Sequence, residues 1–555
     1  MRDFDEITAF LGEWGPYQQL VFFLLIASVL PNGMNNMWMV FIAATPHHRC
    51  LIPTHLNISE AWMNRTIPVE VGTLQYSKCR RYRLDVIKNI SENFPNGEID
   101  MSTVEQEHCL DGWEYDRDPY LSTIVSEWDL VCDDDWQGPF SSSMFFLGML
   151  VGSLLCGQAS DRFGRKIVLF GSMVIQIVFN IILSFSPNWE VFSLFNFLGG
   201  AGHSANYLTT FVLGSELLGK STRIIYSTLG ICSAYAIGYM LLPLFAFFLR
   251  GWRILLLVLS VPGAIFLSLW WFIPESPRWL LSKGRAQEAE AIIRLIAKKN
   301  GVTSPTVLFS EVELEEMKAK NVKSYTVIHL IKSRKIRYIT LINLILWMII
   351  ALGYFGLSLN TPNLHGDVYL NCFISAAIEI PATVAIWLFL WKLPRSFTIA
   401  AILLLGGIIL LFIQLIPSKL SILVTVMVMI GKFCFACAFN MVFVYSSEFY
   451  PTVLRNTGVG TSSMAARATS ILAPYFVYLG AFDEFLPFNV MGSLGILAGI
   501  LTLFLPETLN VPLPDTIEDM QHIKGLKFWI YKKQNLSNQV EKLGKDNIAA
   551  ITEEY

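Results

Sequence analysis

Apolar runs about as long as a bilayer core recur along the whole chain, separated for the most part by short charged turns. A hydrocarbon layer roughly 30 Å thick asks for about 20 apolar residues per helical crossing. Twelve segments meet that length: 20–44, 141–159, 168–187, 191–215, 226–249, 254–273, 338–358, 368–391, 397–416, 421–446, 457–480 and 486–505. The pattern predicts an all-α membrane protein with twelve transmembrane helices. The remaining segments are a 1–19 N-terminus, a 45–140 loop, a 274–337 loop and a 506–555 tail.

Composition agrees: of 555 residues, 53% are hydrophobic and 15% charged, which is far from the usage of soluble domains. A net charge of −3 decides little, but the placement of charge decides orientation. Lys and Arg crowd the turns SDRFGRKI (160–167), GKSTRI (219–224) and KLPR (392–395), the region of Arg455, and the long loop 281–337. By the positive-inside rule these face the cytosol, with both termini, and the 45–140 loop lies outside. MRDFDEITAFLGEWGPYQQL is mixed in charge and runs directly into the first span, so that span is expected to be retained.

The 45–140 loop carries three Asn-x-Ser/Thr acceptors, Asn57, Asn64 and Asn89, as expected of an outward, glycosylated segment. It also holds Cys50, Cys79, Cys109 and Cys132. Four cysteines in an oxidising compartment imply two disulfides, and three pairings are open. The other five cysteines fall in or beside spans and read as small buried hydrophobes.

GSELLGKST (214–222) fits the phosphate-loop pattern G-x-x-x-x-G-K-[ST]. An internal repeat argues against that reading. Glu216 and Arg223 are seven apart, as are Glu448 and Arg455, and Pro274-Glu-Ser and Pro506-Glu-Thr follow each arginine by 51 residues, all at an offset of 232. The chain is therefore two related six-helix halves, 20–273 and 338–505. At the offset positions of Gly219, Lys220 and Ser221 stand Pro451, Thr452 and Val453, so only the Glu and Arg repeat. A nucleotide site also needs a strand before the motif, and none is predicted. An ATP-dependent pump or enzyme is the disfavoured rival, and the four repeated charges are expected to form gating clusters at helix ends.

GQASDRFGRKIVL (157–169) resembles the loop signature between spans two and three of the major facilitator superfamily, which implies that fold and gating roles for Asp161 and Arg165. The second-half counterpart WKLPR (391–395) has Trp and Pro where that signature has Asp and Gly, a departure that leaves an equivalent latch there an open question. MRDFDEITAFLGEWGPYQ at the start, CLDGWEY (109–115), STIVSEWDLVC (122–132), PESPRWL (274–280) and PNLHGD (362–367) resemble the organic cation/carnitine transporters. The resemblance runs from Met1 to about Ile523. It implies a plasma-membrane carrier of small zwitterions or cations, of carnitine or ergothioneine type, with sodium as the coupling ion. It fades in the tail, where the ending ITEEY argues against the PDZ-protein partner common in that group.

Charges at bilayer depth cost at least ~3 kcal/mol each on insertion scales, so each needs a partner or a task. Three are expected: Glu379 in span eight, Lys432 in span ten and Arg467 in span eleven. Glu379 and Lys432 have opposite signs and suit a structural or gating pair. Arg467 is left over, and its fork of donors fits a substrate carboxylate. The resemblance points the same way, since the carnitine-type carriers bear Arg in this region. Aromatic faces attract quaternary ammonium groups by about 0.5–2 kcal/mol each. Tyr207, Tyr235 and Tyr445, with Phe439, are the candidate cage. Amides offer hard oxygens to a sodium ion: Asn32, Asn36 and Gln176, with Asn206 and His203 adjoining the substrate. The resemblance implies Gln at position 203, and His203 departs from it.

In the long loop, GRAQEAEAIIRLIAKKN (284–300) and ELEEMKAKNV (313–322) read as amphipathic helices beneath the bundle. Their basic faces suit membrane lipid. No aromatics interleave the basic run, so nucleic acid is not an expected partner, and neither a metal nor an organic cofactor is implied.

Overall fold

The computed structural model describes residues 4–509 apart from 55–57, 59, 64, 70–75, 94–100, 102–103, 306–307, 310–329, 331, 333 and 452–453. Asn57, Asn64, the second predicted loop helix and most of the tail lie outside the described residues.

Among the described residues, nine helices are long and apolar enough to cross a membrane. They are α1 (Pro16–Ile42), α2 (Cys132–Phe163), α3 (Arg165–Leu183), α5 (Ser221–Phe248), α6 (Trp252–Trp271), α7 (Ile336–Leu359), α8 (Val368–Leu390), α9 (Arg395–Leu415) and α10 (Ser421–Phe449). Three further predicted spans fall on α4 (Trp189–Leu217), α11 (Arg455–Ser470) and α12 (Leu486–Thr502). Polar residues lower the average of α4 and α11. In α4 these residues, Asn196, His203, Ser204 and Asn206, are buried, so they face protein and not lipid. Large apolar side chains elsewhere stay exposed, among them Val174, Val178 and Ile181 on α3 and Leu405, Ile408 and Phe412 on α9, as a lipid-facing belt requires.

Packing repeats six helices on. α4 packs on α2 and α3, and α10 packs on α8 and α9; α1 packs on α5, and α7 on α11. The halves meet where α5 lies against α8 and α2 against α11, two contacts that the same repeat relates. Close approach of α1 and α5 depends on two glycines. A Cβ on Gly33 would strike the Tyr235 carbonyl, and one on Gly238 the Leu30 carbonyl.

The segment between α1 and α2 adds strands that the hydropathy pattern did not predict. β1 (His48–Cys50) pairs antiparallel with β4 (Trp113–Tyr115), and β2 (Arg80–Tyr82) with β3 (Gln106–His108). Disulfides Cys50–Cys109 and Cys79–Cys132 select one of the three pairings. The buried Arg81 ties the segment together, donating to Glu107 at 2.9 Å, Asp111 at 2.6 Å and the Leu51 carbonyl at 2.8 Å. Glu127 then seats the segment on α6 through Trp252 Nε1 at 2.6 Å and the Arg253 guanidinium. Asn89 is exposed on the helix Leu84–Asn93.

One apolar core runs through the loop-side ends of α1, α5 and α6 and through the second half. The opposite end of the first half has a separate core, built from α1, α3, α4 and α5 with Ile293 and Ile296 of the predicted loop helix, observed as Ala286–Asn300. The halves are thus joined on the loop side. Tyr369 of α8 donates to the Pro119 carbonyl at 2.5 Å, Ser143 to the Ile471 carbonyl at 2.7 Å, and Tyr478 to Asp135 at 2.7 Å.

Candidate functional site

The carboxylate and ammonium at bilayer depth in the second half find each other. Lys432 Nζ on α10 lies 3.5 Å from Glu379 Oε1 on α8 and donates to Ser358 Oγ at 2.7 Å and Ser375 Oγ at 2.8 Å. Tyr354 of α7 donates to the same Glu379 oxygen at 2.6 Å. Three helices therefore converge on one ion pair. The ammonium also stands over two aromatic faces, 5.0 Å from the Tyr239 ring centre and 5.3 Å from that of Tyr354. Tyr239 belongs to α5, so the cluster reaches across to the first half, where the Tyr239 hydroxyl meets Ser375 Oγ at 3.4 Å.

Arg467 on α11 is partly buried and lies within electrostatic reach of His203 and Tyr207 on α4 and Cys156 on α2. His203 and Tyr207 are four apart and share one helix face. Among the described residues, no carboxylate pairs with this guanidinium. Tyr207 and Tyr235 meet edge to face at 6.1 Å, half-buried. Phe439, also half-buried, stacks on Tyr354 at 5.0 Å and packs against Phe355 at 6.3 Å. Glu379 is within electrostatic reach of both Tyr207 and Tyr235, so anion, aromatics and guanidinium neighbour one another where the halves meet.

Tyr445 does not belong to that group. It is fully buried, donates to the Pro506 carbonyl at 2.6 Å and packs on Phe449, within the second half. Its spacing of six from Phe439 turns it away on the helix. Tyr354 and Phe355 of α7, rather than Tyr445, pack against Phe439. Their signal was present, since both are aromatics within an apolar span.

The buried amides of the first half form their own group. Asn206 Nδ2 donates to Asn32 Oδ1 at 3.3 Å and lies 3.5 Å from Gln176 Oε1, and Thr210 donates to Asn206 Oδ1 at 3.3 Å. Beside them is a cavity of about 10 Å³, room for about one water or one bare cation, lined by Asn35, Gln176, Asn180, Asn206 and Ser260. Asn35 Oδ1 is buried without a hydrogen-bond partner. Neither Asn32 nor Asn36 lines this cavity: the Asn32 Oδ1 accepts from Asn206, and Asn36, one residue past Asn35 on the helix, faces Tyr235 on α5. Asn35 replaces it as the amide nearest the cavity. His203 is buried, packs on Phe145 at 5.4 Å and leaves Nδ1 without a hydrogen-bond partner.

The repeated charges sit on the face opposite the loop. Arg165 donates to Asp161 at 2.8 Å and lies 3.3 Å from Glu216, while Glu275 accepts from the backbone N–H of Arg165 at 3.0 Å and of Lys166 at 3.2 Å. A carboxylate at a helix N-terminus meets unpaired donors and the positive end of the helix dipole. Gly164, at φ +109°, opens room for it, since a Cβ there would strike Glu275. The second half has an equivalent, despite Trp and Pro at the signature positions. Arg395 lies 3.3 Å from Glu448, and Glu507 accepts from the N–H of Arg395 at 2.7 Å and of Ser396 at 3.1 Å. Only the Asp161 arm is missing. Each of these contacts ties helix ends within one half. Arg223 and Arg455 open α5 and α11 on this same face, where Arg223 donates to the Leu218 carbonyl at 3.2 Å.

The phosphate-loop match is set aside on geometry. Gly214 to Leu217 lie inside α4, where their N–H groups serve the helix, and no strand precedes them. Gly214 is small for another reason: the Tyr226 ring lies where its Cβ would be. That tyrosine donates to the Thr210 carbonyl at 2.9 Å.

The sugar (and other) transporter family matches residues 104–519. The mouse organic cation/carnitine transporter 2 is 56% identical, covering 96% of this chain and 97% of its own length. Its human counterpart is 55% identical over 95% of each chain, and mouse solute carrier family 22 member 4 is 51% identical over 99% of this chain and all of its own. Among solved structures, the xylose transporter XylE from E. coli, partially occluded and inward open, superposes with a TM-score of 0.58 at 16% identity, covering 89% of this chain and 98% of that one. That likeness speaks for the fold alone.

Proposed function

The chain belongs to the organic cation/carnitine transporters of the major facilitator superfamily, multi-pass membrane carriers and not enzymes, and from that membership we propose a plasma-membrane importer of small zwitterions of carnitine or ergothioneine type, coupled to sodium and working by alternating access. In this reading the disulfide-bonded loop faces outward and bears glycans at Asn57, Asn64 and Asn89, and both termini are cytosolic.

One observation carries the substrate class. Two of the three charges at bilayer depth neutralise each other, and the third, Arg467, is without a carboxylate among the described residues. A substrate carboxylate supplies that partner bidentately, while its ammonium lies among Tyr207, Tyr235 and Phe439. Closing the loop side and opening the opposite side around this fixed site moves the substrate inward. The amide cluster suits sodium because its buried oxygens are hard ligands and Asn35 Oδ1 lacks a partner. Asn35, Gln176 and Asn206 would hold the ion, with Asn32 orienting Asn206, and the ion supplies charge to a neutral half.

Replacing Arg467 with Gln tests the anchor. Carnitine uptake per surface copy is expected to fall at least about 30-fold, the lower end of the scale for truncating one partner of a charge pair, with uptake of tetraethylammonium retained. A second reading, a sodium-independent organic cation facilitator, draws on Glu379 beside the aromatics. It predicts that both uptakes survive the substitution.

A further inference from the structure

At the end of the bundle that carries the loop segment, one side chain of the second half is inserted into the first. Tyr369, on the first turn of α8, stacks on Phe41 of α1 at 5.5 Å and 11°, meets Phe247 of α5 edge-on at 5.5 Å, and tilts against Tyr120 of the loop segment at 6.5 Å. Its hydroxyl donates to the Pro119 carbonyl at 2.5 Å. This socket is stitched to the first half. Arg250, between α5 and α6, donates from its guanidinium to the Asp118 carbonyl at 2.9 Å and accepts at its own carbonyl from the Leu121 N–H at 3.1 Å, and Ser122 bridges to Gly251. Glu127 adds its bonds to Trp252 and Arg253.

Three ring contacts and one hydrogen bond each contribute modestly. A joint made of them is firm when complete and releases as a unit. Packing beside the ring is also incomplete. A cavity of about 10 Å³, room for about one water, is lined by Tyr120, Arg250, Trp252 and Tyr369 among others. The Tyr120 hydroxyl is buried there with no hydrogen-bond partner in the protein, which opposes the seated state, and withdrawal of Tyr369 would open it to water. Alternating access requires the seam between α5 and α8 to part on the loop side, and Tyr369 is where that seam is plugged. We propose that Tyr369 is the outer gate of this carrier, a plug on α8 that seats in a socket formed by Phe41, Phe247, Tyr120 and Pro119. The loop segment thereby supplies part of the gate, and Tyr369 is a positioning residue that need not touch substrate. The proposal rests on alternating access with the loop segment facing outward, and is independent of the Arg467 and sodium assignments.

Cys372 reports the state of this gate. It lies about one turn along α8 from Tyr369, fully buried beside the Tyr239 hydroxyl of α5, so it stays covered while α5 and α8 are together. The test is the rate at which a membrane-impermeant methanethiosulfonate, applied outside intact cells expressing the full chain, modifies Cys372, read by mass spectrometry of that peptide. Tyr369→Ala removes the plug and is expected to raise the rate about tenfold or more, since three aromatic contacts and a hydrogen bond are lost together. Tyr369→Phe keeps the rings, loses only the bond to Pro119, and should raise it about threefold. Phe41→Ala opens the same socket from the first half and decides the matter if Tyr369→Ala fails to reach the surface. An unchanged rate in the alanine variants would overturn the proposal. So would an equal rise when the reagent is applied to inside-out vesicles, the mark of a bundle loosened throughout. A rise confined to inside-out vesicles would keep the gate and reverse the orientation assumed in the proposed function.

Discussion

The two halves share a packing plan and a set of helix-end charges, but they bury different polar chemistry. In the first half the polar side chains buried within the spans are neutral, among them Asn32, Asn35, Gln176, Asn180, His203 and Asn206. In the second half they include the charged Glu379 and Lys432, with Arg467 within electrostatic reach of Tyr207 across the halves. Neutral amides are tolerated in a bilayer because neighbouring helices supply their hydrogen bonds, and each group left unmet costs about 1–3 kcal/mol. Full charges require a partner or a ligand. The difference teaches a division of labour: a half without fixed charge can accept a bare cation, while a half with one spare guanidinium selects the organic substrate.

After the loss expected at Arg467, the largest effect from breaking this contrast is on the amide side. Asn206→Leu removes the donor to Asn32 and the neighbour of Gln176. Two unmet buried groups correspond to a loss on the order of tenfold or more. Carnitine uptake should fall accordingly, and the residue of uptake should no longer respond to replacing sodium. Retained sodium dependence in this variant would place the ion elsewhere.

A smaller effect sharpens what the halves have in common. Glu275→Gln and Glu507→Gln each remove a carboxylate from the start of α3 or α9. Each should lower thermal stability of the purified carrier by the equivalent of about 0.3–2 kcal/mol, and by similar amounts. If only one of the two matters, the helix-end arrangement is not a true repeat.

The smallest effect is at the phosphate-loop match. Lys220→Ala should change uptake by no more than about twofold, since the second half carries Thr452 at the offset position, and nucleotide should not bind the purified protein. Loss of uptake would revive the ATP-driven rival.

Hydropathy was enough to find the helices, because a bilayer imposes a length and a solvent on each span. It also located α4 and α11 despite their polarity. It failed where the deciding quantity was the face of a helix. Asn35 and Asn36 are neighbours in sequence, yet only one borders the amide cavity. Tyr445 reads like Tyr235 as a letter, but its hydroxyl is spent on Pro506. The second latch was hidden for a different reason. Trp and Pro replace the signature residues, while the contact is made by Arg395 and by Glu507, 112 residues away along the chain. The repeated Pro-Glu-Ser and Pro-Glu-Thr were visible landmarks, but their task as helix caps depends on contacts that sequence does not display. The strands of the loop segment, three residues each, are too short to show a period of two.

The central claim is that the spare guanidinium selects zwitterions and that a sodium ion joins them in the amide half. The most direct measurement is uptake of labelled carnitine, ergothioneine and tetraethylammonium side by side, in cells expressing the unaltered chain, with sodium present and then replaced. The account predicts preference for at least one zwitterion over tetraethylammonium, and loss of that preference's uptake when sodium is withdrawn. Uptake of tetraethylammonium alone, unchanged by sodium, would contradict both assignments and leave only the fold and the family standing.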